Sequence, residues 1–141
     1  MKFSKEELTE RMHSGKLYFC DDPALAAEQL IWLDKVYDYN ALKPSQQEEK
    51  KRLLKEMFAE IGEGCYLETP FYANWGGRHV HLGDGVYANF NLTLVDDCEI
   101  FIGDHVMIGP NVVAAGSPCR ILRQIGERDQ QYYAKDLKID L

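Results

Sequence analysis

The chain has 141 residues, 45% of them hydrophobic and 28% charged, with a formal charge of −7 at pH 7. Length and composition describe one ordinary globular domain with room for a small appendage. The acidic balance argues against nucleic acid as a partner, because phosphate recognition needs a basic patch.

Ser4-Lys-Glu-Glu reads as a capping box, in which the Ser4 hydroxyl accepts from an early helix N–H and Glu7 reaches back. A helix is expected to about Ser14, ended by Gly15. Asp22-Pro23 then opens a second helix, Asp as N-cap and Pro in the first turn, with an apolar stripe through Leu25, Leu30, Leu33, Val36 and Tyr37. Leu42-Lys-Pro-Ser breaks it. Ser45 is expected to cap a third helix carrying Leu53, Leu54, Met57, Phe58 and Ile61, stopped by Gly62 and Gly64. Residues 1–64 thus read as a helical cap. The N-terminus has no apolar leader core, and no apolar run approaches the roughly 18 residues of a membrane span. Cys20, Cys65, Cys98 and Cys119 are too scattered for a zinc motif or a disulfide framework. Reduced thiols, no metal and a cytoplasmic location are expected.

Residues 65–79 form a strand-rich, aromatic entry with Tyr66, Phe71, Tyr72 and Trp75. These aromatics suit packing between helices and sheet; sugar stacking by Trp75 or Tyr72 is the sharper alternative. From Leu82 the sequence falls into sixes led by Leu82, Ala88 and Leu94 and, after two extra residues, by Ile102 and Ile108. Each lead is followed four places on by Val86, Leu92, Cys98, Val106 or Val112. A period of six is neither helical nor simply alternating. It suits a parallel β-helix, with short strands and a bend every sixth residue. Three sixes per turn give about two coils between 80 and 117. A solenoid that buries each face only against its neighbours needs roughly three repeats, so association between copies is expected. Residues 118–141 read as a polar tail.

Several stretches resemble the maltose and galactoside O-acetyltransferases of the hexapeptide-repeat acyltransferase superfamily. They are Gly15-Lys-Leu-Tyr, Tyr39-Asn40, Lys55-Glu-Met-Phe, Tyr87-Ala-Asn-Phe, Val95-Asp96-Asp97, Ile108-Gly-Pro-Asn, Asn111-Val-Val-Ala-Ala-Gly-Ser-Pro-Cys-Arg and Tyr132-Tyr133. The galactoside branch is the nearer. The resemblance implies a mainly β fold, a shortened left-handed parallel β-helix over 65–117 behind the helical cap, in a homotrimer. It implies transfer of acetyl from acetyl-CoA to a sugar hydroxyl, with a histidine taking the hydroxyl proton and donors stabilising the oxyanion. On that resemblance Asn89 sits near the oxyanion. Asn74, Tyr87 and Asp97 bind the acceptor, and Arg120 and Arg123 contact CoA. Cys20 stands where the galactoside branch can carry an acceptor-binding Asp.

The departure lies after Ile108-Gly-Pro-Asn-Val, where the family has a His-Pro loop and further coils before a Pro-Asn-Val-Val-Ala-Ala-Gly segment. Here the two Pro-Asn-Val occurrences are fused at Pro110-Asn111-Val112, as if a block of coils had been removed in phase. None of the four histidines lies in a His-Pro pair. His13 ends a helix, His79 and His81 flank inward Val80, and His105 occupies a turn, so all four are expected at the surface. A non-catalytic oligomerisation or sugar-binding module is the alternative function.

Overall fold

The structure is a computed structural model describing residues 3–14, 16–18 and 20–115. Three helices, α1 (Lys5–His13), α2 (Pro23–Ala41) and α3 (Gln47–Met57), precede nine short strands among the described residues. The strands are β1 (Glu60–Ile61), β2 (Tyr66–Leu67), β3 (Phe71–Ala73), β4 (Val80–Leu82), β5 (Tyr87–Ala88), β6 (Leu92–Val95), β7 (Ile100–Ile102), β8 (Met107–Ile108) and β9 (Val113–Ala115). They pair in parallel as β1-β4-β7, β2-β5-β8 and β3-β6-β9, a three-sided coil of three rungs.

Helix starts follow local chemistry. The capping box is present at Ser4, and Asp22 accepts from the backbone of Ala24 and Leu25. The third helix departs from expectation at both ends. Its N-cap is Gln46, without a side-chain cap, instead of Ser45, and it stops at Met57. Glu60 and Ile61, expected as its last turn, instead pair with His81 and Leu82. Ladder bonds to the next rung offer that backbone what a further helical turn would, while Ile61 still faces the core.

The six-residue phase therefore starts before Leu82. Ile61, Leu67 and Ala73 stand under Leu82, Ala88 and Leu94, and these under Ile102, Ile108 and Ala114. The coils from β4 to β9 are those read from the sixes; the aromatic entry completes an earlier rung. Rung one pairs with rung two at an offset of 21 residues, as Tyr66 with Tyr87, and rung two with rung three at 20, as Tyr87 with Met107. The excess over eighteen falls between the third and first strands of successive rungs, at residues 74–79 and 96–99. Gly76 and Gly77 occupy the first of these corners with φ of 66° and 92°. A Cβ on Gly76 would lie 2.8 Å from the Trp32 carbonyl oxygen, and one on Gly77 2.8 Å from the Phe58 ring, so the corner closes onto the helices only without side chains.

Helix α2 covers the first rung. Its polar side chains satisfy the open strand edge, which would otherwise leave backbone groups unpaired. Gln29 Nε2 donates to the Asn74 carbonyl (3.0 Å) and Tyr39 Oη to that of Leu67 (2.7 Å). Asn40 both donates to the Phe71 carbonyl (2.8 Å) and accepts from its N–H (3.0 Å). Burial pushes the Tyr39 hydroxyl well above its ordinary pKa. The buried Lys50 ammonium has no hydrogen-bond partner among the described residues and lies 5.3 Å and 5.6 Å from the Tyr39 and Tyr66 rings. Under this cover Leu67 and Phe71 are fully buried. At the far end Ile102, Ile108 and Ala114 are only partly buried, and outward Phe101 and Met107 are 73% and 80% exposed.

Asn40→Leu removes both bonds to Phe71. It is expected to lower stability by about 2–3 kcal/mol, since each such bond contributes about 1 kcal/mol and a buried group left unpaired costs more. Urea unfolding of the variant against the native chain checks this.

Candidate functional site

The enlarged third corner gathers polar chemistry. Asn74 Nδ2 donates to Asp97 Oδ2 at 3.0 Å, and Trp75 Nε1 donates to Asp97 Oδ1 at 3.1 Å. The fully buried Asp96 beside it accepts from the backbone N–H of Trp75 (2.7 Å) and Gly77 (2.9 Å), so the corner of rung two grips that of rung one. Burial raises the Asp96 pKa, against the lowering effect of those N–H donors. Tyr18 faces the same corner. Its hydroxyl titrates high, first through burial and then through the charges of Asp97, Cys20 and Cys98.

Helix α1 docks on this corner. Leu8, Met12, Leu25 and Trp75 form a second apolar cluster, and the Cys98 thiol donates to the Met12 carbonyl at 2.9 Å. Lys5 Nζ (2.7 Å) and Arg78 both pair with Glu28, tying α1, α2 and the corner together. The Lys5 hydrogen bond, ahead of the Arg78 charge, holds the Glu28 carboxyl below its usual range. Trp75 is buried in this cluster and so is placed for packing; Tyr72 keeps half of its surface exposed.

Asn74 and Asp97 thus come together, with exposed Cys20 near Tyr18. Tyr87 and Asn89 lie elsewhere. Tyr87 stacks on Tyr66 with ring centroids 6.3 Å apart, and its hydroxyl donates to Glu68 at 3.3 Å. Asn89 Oδ1 accepts from the N–H of Phe90 at 2.8 Å, in the corner between the second and third faces. The four residues of β6 separate that corner from Asp97, which sets them roughly 10 Å or more apart at ~3.3 Å per residue. Arg120 and Arg123 lie outside the described residues.

The surface reading holds for exposed His13 and His105 and fails for His79. His79 is buried, its Nδ1 2.6 Å from the Asp96 carbonyl oxygen, because the strand begins at Val80 and His79 belongs to the corner. His13 stacks edge-on against it at 4.6 Å; burial and then the neighbouring His79 lower its pKa. His81 is half-buried on the outer face, with Nδ1 2.9 Å from Glu60, Nε2 2.7 Å from Glu99, and its ring stacked on Phe101. His105 is exposed at another corner, with φ of 56°. Among the described residues no histidine is hydrogen-bonded to Asn74, Asn89 or Asp97, and no group of His, Cys, Asp and Glu could hold a metal ion. No described helix is long and apolar enough to cross a membrane.

Residues 11–62 match the maltose acetyltransferase hexapeptide capping motif. Galactoside O-acetyltransferase of Escherichia coli K12 is 31% identical, with 94% of this chain and 97% of that protein covered. The chain belongs to the maltose and galactoside O-acetyltransferase family. Its architecture is therefore the left-handed parallel β-helix of hexapeptide-repeat acetyltransferases. The E. coli match runs over 197 positions, more than the chain has residues, so part of that enzyme has no counterpart here. Galactoside O-acetyltransferase of Lactococcus lactis IL1403 is 47% identical over 93% of the chain, which spans 63% of that relative's length. A galactoside acetyltransferase solved in complex with coenzyme A superposes with a TM-score of 0.68 at 30% identity, covering 95% of this chain and 98% of that one.

His81 gives this family member a pH signature. Partial burial disfavours its cation, but the bonds to Glu60 and Glu99 outweigh it and raise the pKa above the ordinary 6.5. The folded protein therefore holds the proton more tightly than the unfolded chain does. The stabilisation is complete below about pH 6.5 and fades as pH rises through the raised value. Urea midpoints between pH 5 and 8 are expected to fall with rising pH, and to fall less in His81→Gln.

Proposed function

We propose that this chain is a sugar-handling member of its family that takes a galactoside- or maltose-type acceptor at the Asn74–Asp97 corner and uses acetyl-CoA as acetyl donor. The observation that carries the reading is the pair of donors from Asn74 and Trp75 onto Asp97. Each carboxylate oxygen has one protein donor and lone-pair capacity left for a sugar hydroxyl. On this reading Tyr87 contributes to the acceptor face and Asn89 to the oxyanion. Arg120 and Arg123 contact CoA phosphates as point charges, and acetyl-CoA supplies the activated thioester. The family relatives, one of them solved with coenzyme A, support the donor.

The acid–base part is the weak link. His79 and His81 have ring nitrogens committed to Asp96, Glu60 and Glu99, so transfer runs without a positioned base, at a loss of roughly 10² to 10⁴ in rate. That observation favours a second reading, a non-catalytic sugar-binding and oligomerisation module. The longer E. coli match supports a block of coils missing from within the chain. Working in the cytoplasm, the protein forms a homotrimer on this proposal. Asn89 and Asp97 sit at opposite edges of β6, so they complete one site only when corners of two copies meet.

An assay of the 141-residue protein with acetyl-CoA and a panel of galactosides and maltose, read by product mass, separates the readings. Acetylated sugar is expected above the no-enzyme control, at least about a hundredfold slower than with the E. coli enzyme. Binding of galactoside without product would assign the non-catalytic module, and neither binding nor product would end the sugar reading. Light scattering is expected to give the mass of three chains; a well-behaved monomer would overturn the trimer.

A further inference from the structure

The Trp75 ring and the Trp75 indole N–H serve two different parts of the molecule. The ring is 5% exposed and packs among Leu8, Met12 and Leu25, the contacts by which α1 is held to the coil. The N–H leaves that cluster and donates to Asp97 Oδ1 at 3.1 Å. Its backbone N–H, in turn, is fixed by buried Asp96 at 2.7 Å, and the next-but-one residue, Gly77, is fixed by the other Asp96 oxygen. Two side-chain torsions orient an indole, and here both the backbone and the ring face are held, so the N–H vector has little freedom. Asn74 supplies the second donor to Asp97, and its own carbonyl is held by Gln29 of α2.

We infer that Trp75 is a positioning residue for Asp97, through which the docking of helix α1 sets the orientation of the acceptor-binding carboxylate. This rests on the acceptor reading of Asp97 proposed above. A carboxylate aligned by two donors presents its remaining lone pairs in fixed directions, and a donor lost from a charged acceptor costs more than one lost from a neutral one. Loosening α1 moves the ring, and the N–H moves with it. Residues of α1 that never touch a sugar thereby affect how well one is bound.

The chain has two tryptophans, Trp32 and Trp75, so the indole N–H region of a nitrogen-15 spectrum is simple to assign with Trp75→Phe. In the native protein the Trp75 resonance is expected at the position of a charge-assisted donor, and to shift in Asp97→Asn, which leaves it a neutral acceptor. Trp75→Phe keeps most of the ring and deletes the donor. It is expected to bind methyl β-galactoside about tenfold more weakly. Leu8→Ala, beneath the ring and away from Asp97, is expected to weaken binding in the same direction by a few-fold.

Native affinity in Trp75→Phe, or an indole resonance indifferent to Asp97→Asn, would overturn the inference. Should Trp75→Phe fail to fold by circular dichroism, the Asp97→Asn spectrum and the Leu8→Ala affinity decide instead. If the native protein binds no galactoside while the indole still tracks Asp97, the acceptor reading falls and the positioning of the carboxylate stands.

Discussion

The parallel ladder governs this molecule. No strand here exceeds four residues among those described, and none can bond to its immediate neighbour in sequence. Ladder N–H groups find their acceptors in another rung, as when Tyr87 donates to Val106 and Tyr66 to Val86. Such bonds form only if successive turns keep the same phase. A slip of one residue would turn every inward side chain outward. The inward column Ile61, Leu82, Ile102 and its two companions are what that phase requires. Turn residues obey it as well. Gly64, Gly85 and His105 stack at one corner with positive φ, and Asn91 and Asn111 at another, where Asn91 Nδ2 donates to Asn111 Oδ1 at 3.1 Å.

The end of a ladder is its liability, because the last strand on each face has no partner above it. At the first rung α2 supplies side chains in place of a strand. Gln29, Tyr39 and Asn40 bond to the backbone of three stretches of the rung, while α3 brings Leu54 and Met57 over the inward Leu67 and Phe71. Helices attached to such a coil are therefore a functional requirement of the β architecture, and their polar residues matter as much as their apolar stripes. Asn40 illustrates this. It continues the stripe of α2, four residues on from Val36, and it is polar there because it replaces two ladder bonds of Phe71.

The sixes from Leu82 onward were legible because Leu, Ala and Ile lead them with a single two-residue break, and glycine or asparagine marks the bends. The preceding rung was not, for a physical reason. Three residues beyond eighteen were inserted at 74–79, and the inward positions before them include Ala73 and Cys65, which carry little hydrophobic signal. The same insertion hid His79. Alternation through Val80 places it outside, but alternation applies only within the strand, and His79 precedes it. The hydrogen bond between Asn74 and Asp97 was not legible, since nothing in a period of six says which corners are stacked. The separation of Asn89 from Asp97 became visible only when both were assigned to corners of the same face.

The two enlarged corners explain why chemistry collects where it does. A six-residue bend is closed by the ladder's own turn geometry. Extra residues at 74–79 and 96–99 project the chain outward, and projected backbone must be satisfied by something other than the ladder. Asp96 provides that support from within, accepting two N–H groups and offering its carbonyl to His79. Asp97, one residue on, is left pointing the other way with its two oxygens held by Asn74 and Trp75. Adjacent aspartates thus divide the work by direction, the buried one fixing the corner and the other presenting a carboxylate beside Tyr18 and Cys20. A break in a repeat is usually treated as noise in the pattern. Here it is the part of the pattern that brings Asn74, Trp75 and Asp97 together.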